Sequence, residues 1–76
     1  MLQSAVESSN VSRVGWVNGE LYVEFIKTGV YVYHDVPYEK YTALIAPGVS
    51  VGKTLNAEVK AYHSFEKAEW PAETTL

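Results

Sequence analysis

The dipeptide Asn18-Gly19 constrains the fold of this chain more than any other local feature. It lies between two runs of strand-forming residues. Asn-Gly is the dipeptide most typical of a type I′ hairpin turn, because both residues tolerate positive φ angles. A two-residue turn here sets the register of the hairpin, with the pairs Val17–Glu20, Trp16–Leu21, Val14–Val23, Arg13–Glu24 and Ser12–Phe25. One face of the predicted hairpin is then apolar, and the other carries the opposite charges of Arg13 and Glu24.

The turn before the third strand leaves two registers open. A two-residue loop at Thr28-Gly29 places Tyr31 and Tyr33 on the face opposite the core, beside Tyr22. A three-residue loop with a glycine bulge shifts the register by one and turns both later tyrosines into the core. We favour the two-residue loop because it leaves the phenol groups within reach of water. The core face then continues as Val30, Val32, His34 and Val36.

Two helices are predicted after the third strand. Pro37 suits the start of a helix, where its missing N–H is no loss, and Pro47-Gly48 ends this first helix. A second helix begins near Ser50, a favourable N-cap residue. Its apolar stripe consists of Val51, Leu55, Val59 and Tyr62, and its polar stripe consists of Lys53, Asn56, Lys60 and His63. The expected fold class is α+β, a three-stranded antiparallel β-meander followed by two helices packed on one sheet face.

Length and composition limit the domain organisation. The chain has 76 residues, no cysteine and a formal net charge of -3. We assign residues 1–64 to a single domain and residues 65–76 to a short acidic C-terminal tail. Without disulfides or zinc thiolates, so small a domain is expected to gain stability from a bound ligand or from forming a homo-oligomer. The sequence shows no signal peptide or membrane span, so we expect a cytoplasmic protein with no membrane partner.

The sequence predicts neither catalysis nor a cofactor or metal ion. It contains two histidines, too few at useful spacing for a metal site. A Ser–His–Asp arrangement could be built from Ser8 or Ser9 with His34 and Asp35. In the favoured register, however, His34 points into the core and Asp35 points out, so neither serine has a histidine base. The expected protein is therefore not an enzyme.

Two polar segments have both a binding and a purely structural interpretation. Ser8 and Ser9 precede the first strand, where they either donate hydroxyls to a ligand or cap local backbone groups. The start of the second helix, with Ser50 and Lys53, either binds an anion or is an ordinary capped helix end.

The order of the motifs resembles a known family, the KTSC domain. The motifs are Val6-x-Ser8-Ser9-Asn10-Val11, Gly15-Trp16, Leu21-x-Val23-x-Phe25, Gly29-x-Tyr31-x-Tyr33, Val36-Pro37, Ser50-x-Gly52, Leu55-Asn56, Val59-Lys60 and Tyr62. The family is named after a C-terminal extension of some lysyl-tRNA synthetases and also occurs as small stand-alone proteins of bacteria and phages. The resemblance implies the fold and, through the association with the synthetase, RNA binding. A phage-encoded member would act in the host cytoplasm.

Together these observations predict a non-enzymatic module that binds a nucleotide-containing ligand. The ligand is a single-stranded RNA segment or a small or cyclic nucleotide, because the acidic chain has few cations to neutralise a long polyanion. The alternative is a homo-oligomeric or partner-binding adaptor that uses the aromatic sheet face as a protein interface. The candidate ligand-binding residues are Ser8, Ser9, Arg13, Tyr22, Tyr31, Tyr33, Ser50, Lys53, Asn56 and Lys60.

Overall fold

The computed structural model describes residues 1–71 of the chain. Over these residues the chain forms one five-stranded antiparallel sheet, in which the strands lie in the order of the sequence. The strands are β1 (Leu2–Ala5), β2 (Val11–Val17), β3 (Glu20–Phe25), β4 (Gly29–Tyr33) and β5 (Phe65–Lys67). The helices lie between β4 and β5, so the α+β class is confirmed.

The hairpin at Asn18-Gly19 is confirmed over most of its length. Asn18 has a φ of 48° and Gly19 a φ of 84°, as a type I′ turn requires. The four predicted pairs from Val17–Glu20 to Arg13–Glu24 are present in the sheet. The pair Ser12–Phe25 is wrong: the register shifts between Val11 and Arg13, and Val11 takes the place opposite Phe25. This bulge puts Val11, which is 1% exposed, into the core.

The favoured register of the third predicted strand is wrong. Val23 pairs with Tyr31, not with His34, a shift of three residues. The loop between β3 and β4 has three residues, and Gly29 follows it with a φ of 90° that suits glycine. An odd shift moves each side chain to the other face, so Tyr31 and Tyr33 turn toward the helices. His34 is half-exposed at the end of β4, outside the core.

Two edge strands correct the expectation of a three-stranded sheet. β1 pairs with β2, and β5 pairs with β4. The residues of β5 belong to the segment assigned from the sequence to the acidic tail, and they come back to the sheet after the second helix. Residues 72–76 of that tail lie outside the described residues.

The helices follow the predicted pattern closely. The first, α1, spans Tyr38–Ile45 and is preceded by Pro37. The second, α2, spans Val51–Thr54 with Ser50 at its N-cap and continues as a π-helical segment, Leu55–Lys60. Tyr62, expected in the apolar stripe, is 70% exposed because the helix ends before it. Within residues 1–71, no helix has both the length and the apolarity that crossing a membrane requires.

The core lies between one sheet face and the two helices. We call this the helix-covered face and the opposite one the second face. The sheet and helix residues that share the core are Val11, Val14, Leu21, Val23, Tyr33, Val36, Tyr41, Leu44, Val51, Leu55 and Val59. Burial of these side chains supplies most of the stabilisation of so small a domain.

The positive φ of Gly19 can be tested against a glycine in ordinary helical backbone. A Cβ added at Gly19 or at Gly52 meets no atom within 4 Å, so neither substitution by alanine causes a clash. Gly19→Ala is expected to lower the free energy of unfolding by about 1–2 kcal/mol because alanine is strained at positive φ. Gly52→Ala, the matched control in α2, is expected to raise it by about 0.5–1 kcal/mol. Urea denaturation measures the free energy of unfolding of both variants. Equal changes in the two variants would contradict the positive φ of Gly19 in the turn.

Candidate functional site

The structure distributes the ten candidate residues over three places. One group lines a polar cleft between the β1–β2 loop and the start of α2, and consists of Ser8, Ser9, Ser50, Lys53 and Asn56. A second group, Tyr31, Tyr33 and Lys60, lines an aromatic cleft on the helix-covered face. Arg13 and Tyr22 lie on the second face of the sheet. The predicted platform of three tyrosines on one face is therefore wrong, because Tyr22 lies opposite the other two.

The aromatic cleft is the most apolar of these places. It has a volume of about 300 Å³ and is lined by Phe25, Thr28, Tyr31, Tyr33, Lys60 and Phe65. The ring centroid of Tyr31 lies 5.8 Å from that of Phe25 and 6.1 Å from that of Phe65, and both pairs are edge-to-face. Phe65 is 55% exposed, so its ring is available to a ligand. The rings form a row from β3 across β4 to β5.

Tyr33 forms the floor of the aromatic cleft. Its side chain is 1% exposed and belongs to the core. Burial raises the pKa of its phenol, and the neighbouring Tyr31 adds to the rise. The Tyr33 ring lies 5.3 Å from the Phe65 ring, so it supports the exposed ring from below. Tyr33 therefore shapes the cleft as a core residue.

Lysine side chains surround the aromatic cleft. The Nζ atom of Lys60 lies 5.3 Å from the ring centroid of Phe25, and that of Lys67 lies 4.9 Å from the ring centroid of Tyr31. Lys67 also donates a hydrogen bond to the carbonyl oxygen of Thr28. Lys27 lines an adjoining hollow beside Phe25 and Lys60. Three of the six cationic side chains of the chain thus lie around these rings.

Sequence reasoning missed the contributions of Phe65 and Lys67. Both lie on β5, a strand too short to show a periodic pattern. The alternation Phe65-x-Lys67 is the signal that a strand search could have used, since it places both side chains on one face. Their neighbours in the sheet are separated from them by more than thirty residues of chain.

The polar cleft is built largely from local capping. It has a volume of about 320 Å³ and includes Glu7 beside the five candidate residues. The hydroxyl oxygen of Ser8 accepts hydrogen bonds from the backbone N–H groups of Asn10 and Val11, at 3.2 and 3.3 Å. Ser50 occupies the N-cap position without a side-chain capping bond. The hydroxyl of Ser8 is therefore already used by the loop.

A charged cluster and an aromatic contact occupy the second face. Arg13 donates two hydrogen bonds to the carboxylate of Glu24, at 3.0 and 3.2 Å, and Ser12 donates a third at 2.6 Å. These bonds from Arg13 and then Ser12 hold the pKa of Glu24 below its usual range. Burial raises the pKa of Tyr22, and the nearby charge of Glu20 adds to the rise. The guanidinium of Arg13 also lies 3.8 Å from the ring centroid of Trp70.

His34 lies between two carboxylates. Its Nδ1 atom is 3.4 Å from Glu20 and its Nε2 atom is 3.9 Å from Glu66. The expectation that His34 points into the core is wrong, for the same reason that the β4 register is wrong. Within residues 1–71, no three histidine, aspartate or glutamate side chains are grouped so as to hold a metal ion.

The comparisons with known proteins point to one family. The KTSC domain family model matches residues 7–65. The fold is similar to the crystal structure of a KTSC domain protein from Yersinia pestis, with a TM-score of 0.79 and 25% sequence identity. That match covers 87% of this chain and 94% of the other. No curated protein matches the chain.

The Arg13–Glu24 ion pair on the second face makes the free energy of unfolding depend on pH. Because the pKa of Glu24 is lowered in the folded protein, its carboxylate stabilises the fold above the ordinary glutamate range. This contribution is lost as the pH falls through the lowered pKa. Glu24→Gln is expected to lower the free energy of unfolding by about 0.5–1 kcal/mol at pH 7 and to have no effect below that pKa. Denaturant titrations across acidic pH measure the difference.

Glu58→Gln is the matched control for this measurement. The residue is exposed in the π-helical segment, and it is the backbone carbonyl of Glu58 that accepts a hydrogen bond, from Lys40. The control is expected to show no comparable pH-dependent difference. A Glu24→Gln effect of the same size at every pH would contradict the assignment of the lowered pKa to this ion pair.

Proposed function

This chain belongs to the KTSC domain family, and we propose that it is a non-enzymatic module that binds a nucleotide-containing ligand in the aromatic cleft. The observation that carries the proposal is a row of partly exposed aromatic rings with ammonium groups beside them. A base has a flat apolar face that stacks on such rings, and a phosphate is attracted to the lysines.

Stacking is the interaction that the exposed edge of the cleft favours. Phe65 is 55% exposed, and its ring packs on two others. Its ring centroid lies 5.3 Å from that of Tyr33 and 6.1 Å from that of Tyr31. A ring that is held by two others loses little conformational freedom when a ligand stacks on it. The cleft therefore provides an aromatic surface that is already in place.

The size and charge of the cleft favour a single nucleotide unit. Its volume of about 300 Å³ is at the lower end of the range for small-molecule pockets. The chain as a whole carries a net charge of -3, so a long polyanion would be repelled outside the lysine-lined region. A small or cyclic nucleotide, or one nucleotide of a single-stranded RNA segment, meets both conditions.

The surroundings of the candidate catalytic groups support binding without catalysis. The Ser8 hydroxyl accepts two backbone hydrogen bonds, and His34 lies between Glu20 and Glu66. A Ser–His–Asp arrangement needs the histidine within hydrogen-bond distance of the nucleophilic serine. No hydrogen bond joins Ser8 to His34 within the part of the chain that the structure describes.

Removal of the exposed ring tests the stacking interaction. Phe65→Ala is expected to weaken nucleotide binding about tenfold, because stacking of a base on one aromatic ring contributes about 1–3 kcal/mol. The probes are the four ribonucleoside monophosphates, a cyclic dinucleotide and a six-nucleotide single-stranded RNA. Isothermal titration calorimetry gives the affinities, and amide chemical shifts locate the site.

Tyr62→Ala is the matched control, since Tyr62 is an exposed aromatic residue that does not line the cleft. It is expected to bind with unchanged affinity. Absence of binding by every probe at high micromolar concentration would overturn the proposal. Concentration-dependent self-association in light scattering that is lost in Phe65→Ala would instead identify the cleft as a protein interface.

Substitution of a cleft lysine tests the phosphate contact. Lys60→Gln is expected to weaken binding several-fold at low salt and to make the affinity less dependent on salt concentration, because one ammonium–phosphate contact is lost. Calorimetric titrations at three salt concentrations measure this slope. An unchanged slope would exclude Lys60 as a phosphate ligand. Loss of affinity in Lys53→Gln with unchanged binding by Lys60→Gln would place the phosphate in the polar cleft and contradict the proposal.

A further inference from the structure

β5 contributes Phe65 and Lys67 to the aromatic cleft from the edge of the sheet. The strand has three residues, all exposed, and it pairs with β4 alone. Phe65 and Lys67 lie on its helix-covered side, where they meet Tyr31 and Tyr33. Short edge strands open locally at low free-energy cost. Contacts made by the residues after β5 would therefore add to the pairing with β4 that keeps the strand closed.

The residues after β5 cross to the second face and attach there. The backbone N–H of Ala68 donates a hydrogen bond to the carbonyl oxygen of Val30, at 3.0 Å, which continues the pairing with β4 by one residue. The Trp70 ring then lies 3.8 Å from the Arg13 guanidinium and 6.4 Å from the Tyr22 ring. Arg13 is on β2 and Tyr22 is on β3, so Trp70 ties the edge strand to the centre of the sheet.

Gly15 provides the space in which the Trp70 ring lies. This glycine is buried on the second face, and a Cβ at its position would be 3.1 Å from the Trp70 ring. The ring therefore packs directly on the backbone of β2. Its Nε1 atom is buried and donates to no acceptor in the described part of the chain. Packing and the Arg13 cation hold the ring, without the additional restraint of a hydrogen bond.

We propose that Trp70 is a positioning residue for the aromatic cleft on the opposite face of the sheet. Docking of Trp70 on the second face holds β5 closed, and β5 in turn presents Phe65 and Lys67 to the ligand. Undocking of Trp70 opens β5 and withdraws Phe65 and Lys67 from the cleft. This inference rests on the proposed function for its effect on binding, whereas its effect on β5 is independent of any ligand. Trp70 lies beyond the residues that match the family model.

The test uses the full chain with Trp70→Ala and Trp70→Phe. Hydrogen exchange of the Phe65–Ala68 amides, measured without ligand, is expected to be at least about fivefold faster in Trp70→Ala. Nucleotide affinity, measured with the probes described above, is expected to fall by a similar factor. Trp70→Phe keeps an aromatic ring over Gly15 and beside Arg13, and it is expected to restore most of both properties.

The two readouts separate this inference from the proposed function. Suppose that no probe binds the chain but the β5 amides exchange faster in Trp70→Ala. This result would overturn the proposed function and the positioning role in ligand binding. It would still show that Trp70 holds β5 closed. Unchanged exchange in Trp70→Ala would overturn the inference, whatever the affinity. Unchanged affinity with faster exchange would overturn the positioning role of Trp70 in ligand binding. Tyr62→Ala controls for loss of an exposed aromatic residue, and is expected to change neither readout.

Discussion

The backbone conformation at Gly29 is the constraint on which the rest of this structure depends. Its positive φ follows the three-residue loop between β3 and β4 and sets the pairs Val23–Tyr31 and Leu21–Tyr33. Because side chains alternate between the faces of a strand, this register decides which β4 residues meet the helices. It puts Tyr33 into the core and Val32 on the second face. A register different by one residue would exchange these roles.

The register of β4 determines which side chains lie on each face of the sheet. On the helix-covered face, Tyr31 lies between Phe25 and Phe65, so the aromatic row spans three strands. On the second face, Tyr22 is left beside Trp70 and the Arg13–Glu24 pair. The molecule therefore has one face for the core and the proposed ligand, and another on which the C-terminal segment docks. β5 connects the two, because it contributes side chains to one face and leads into the contact on the other.

The parts of the fold that were predicted correctly depend on short stretches of sequence. Asn18-Gly19 specifies a turn by itself, and Pro37 marks the helix start. The helical spacing of Val51, Leu55 and Val59 also needs no knowledge of distant residues. Each of these features combines a backbone preference with a nearby apolar pattern, and the two agree.

The errors have equally specific causes. The bulge at Ser12 adds one residue to β2 and leaves no trace in the alternating pattern that could distinguish it from a regular strand. β1 and β5 are four and three residues long, too short for a periodic signal. The turn at Gly29 has two geometries compatible with the same glycine, and exposure of the phenol groups to water favours the two-residue loop, which the structure does not adopt. Packing of the Tyr33 ring in the core favours the three-residue loop instead.

The sequence by itself determined the turn of the first hairpin, the helix positions and the buried stripe Val51, Leu55 and Val59. It also determined that no disulfide could strengthen the domain. Only the tertiary structure decided which face Tyr31 occupies, where Phe65 and Lys67 join the sheet, and that Trp70 reaches Arg13. The physical reason is that these contacts join strands separated by long stretches of chain, and their geometry depends on a pairing register that local preferences leave open. The candidate site is therefore a product of the assembled sheet, although each of its residues is visible in the sequence.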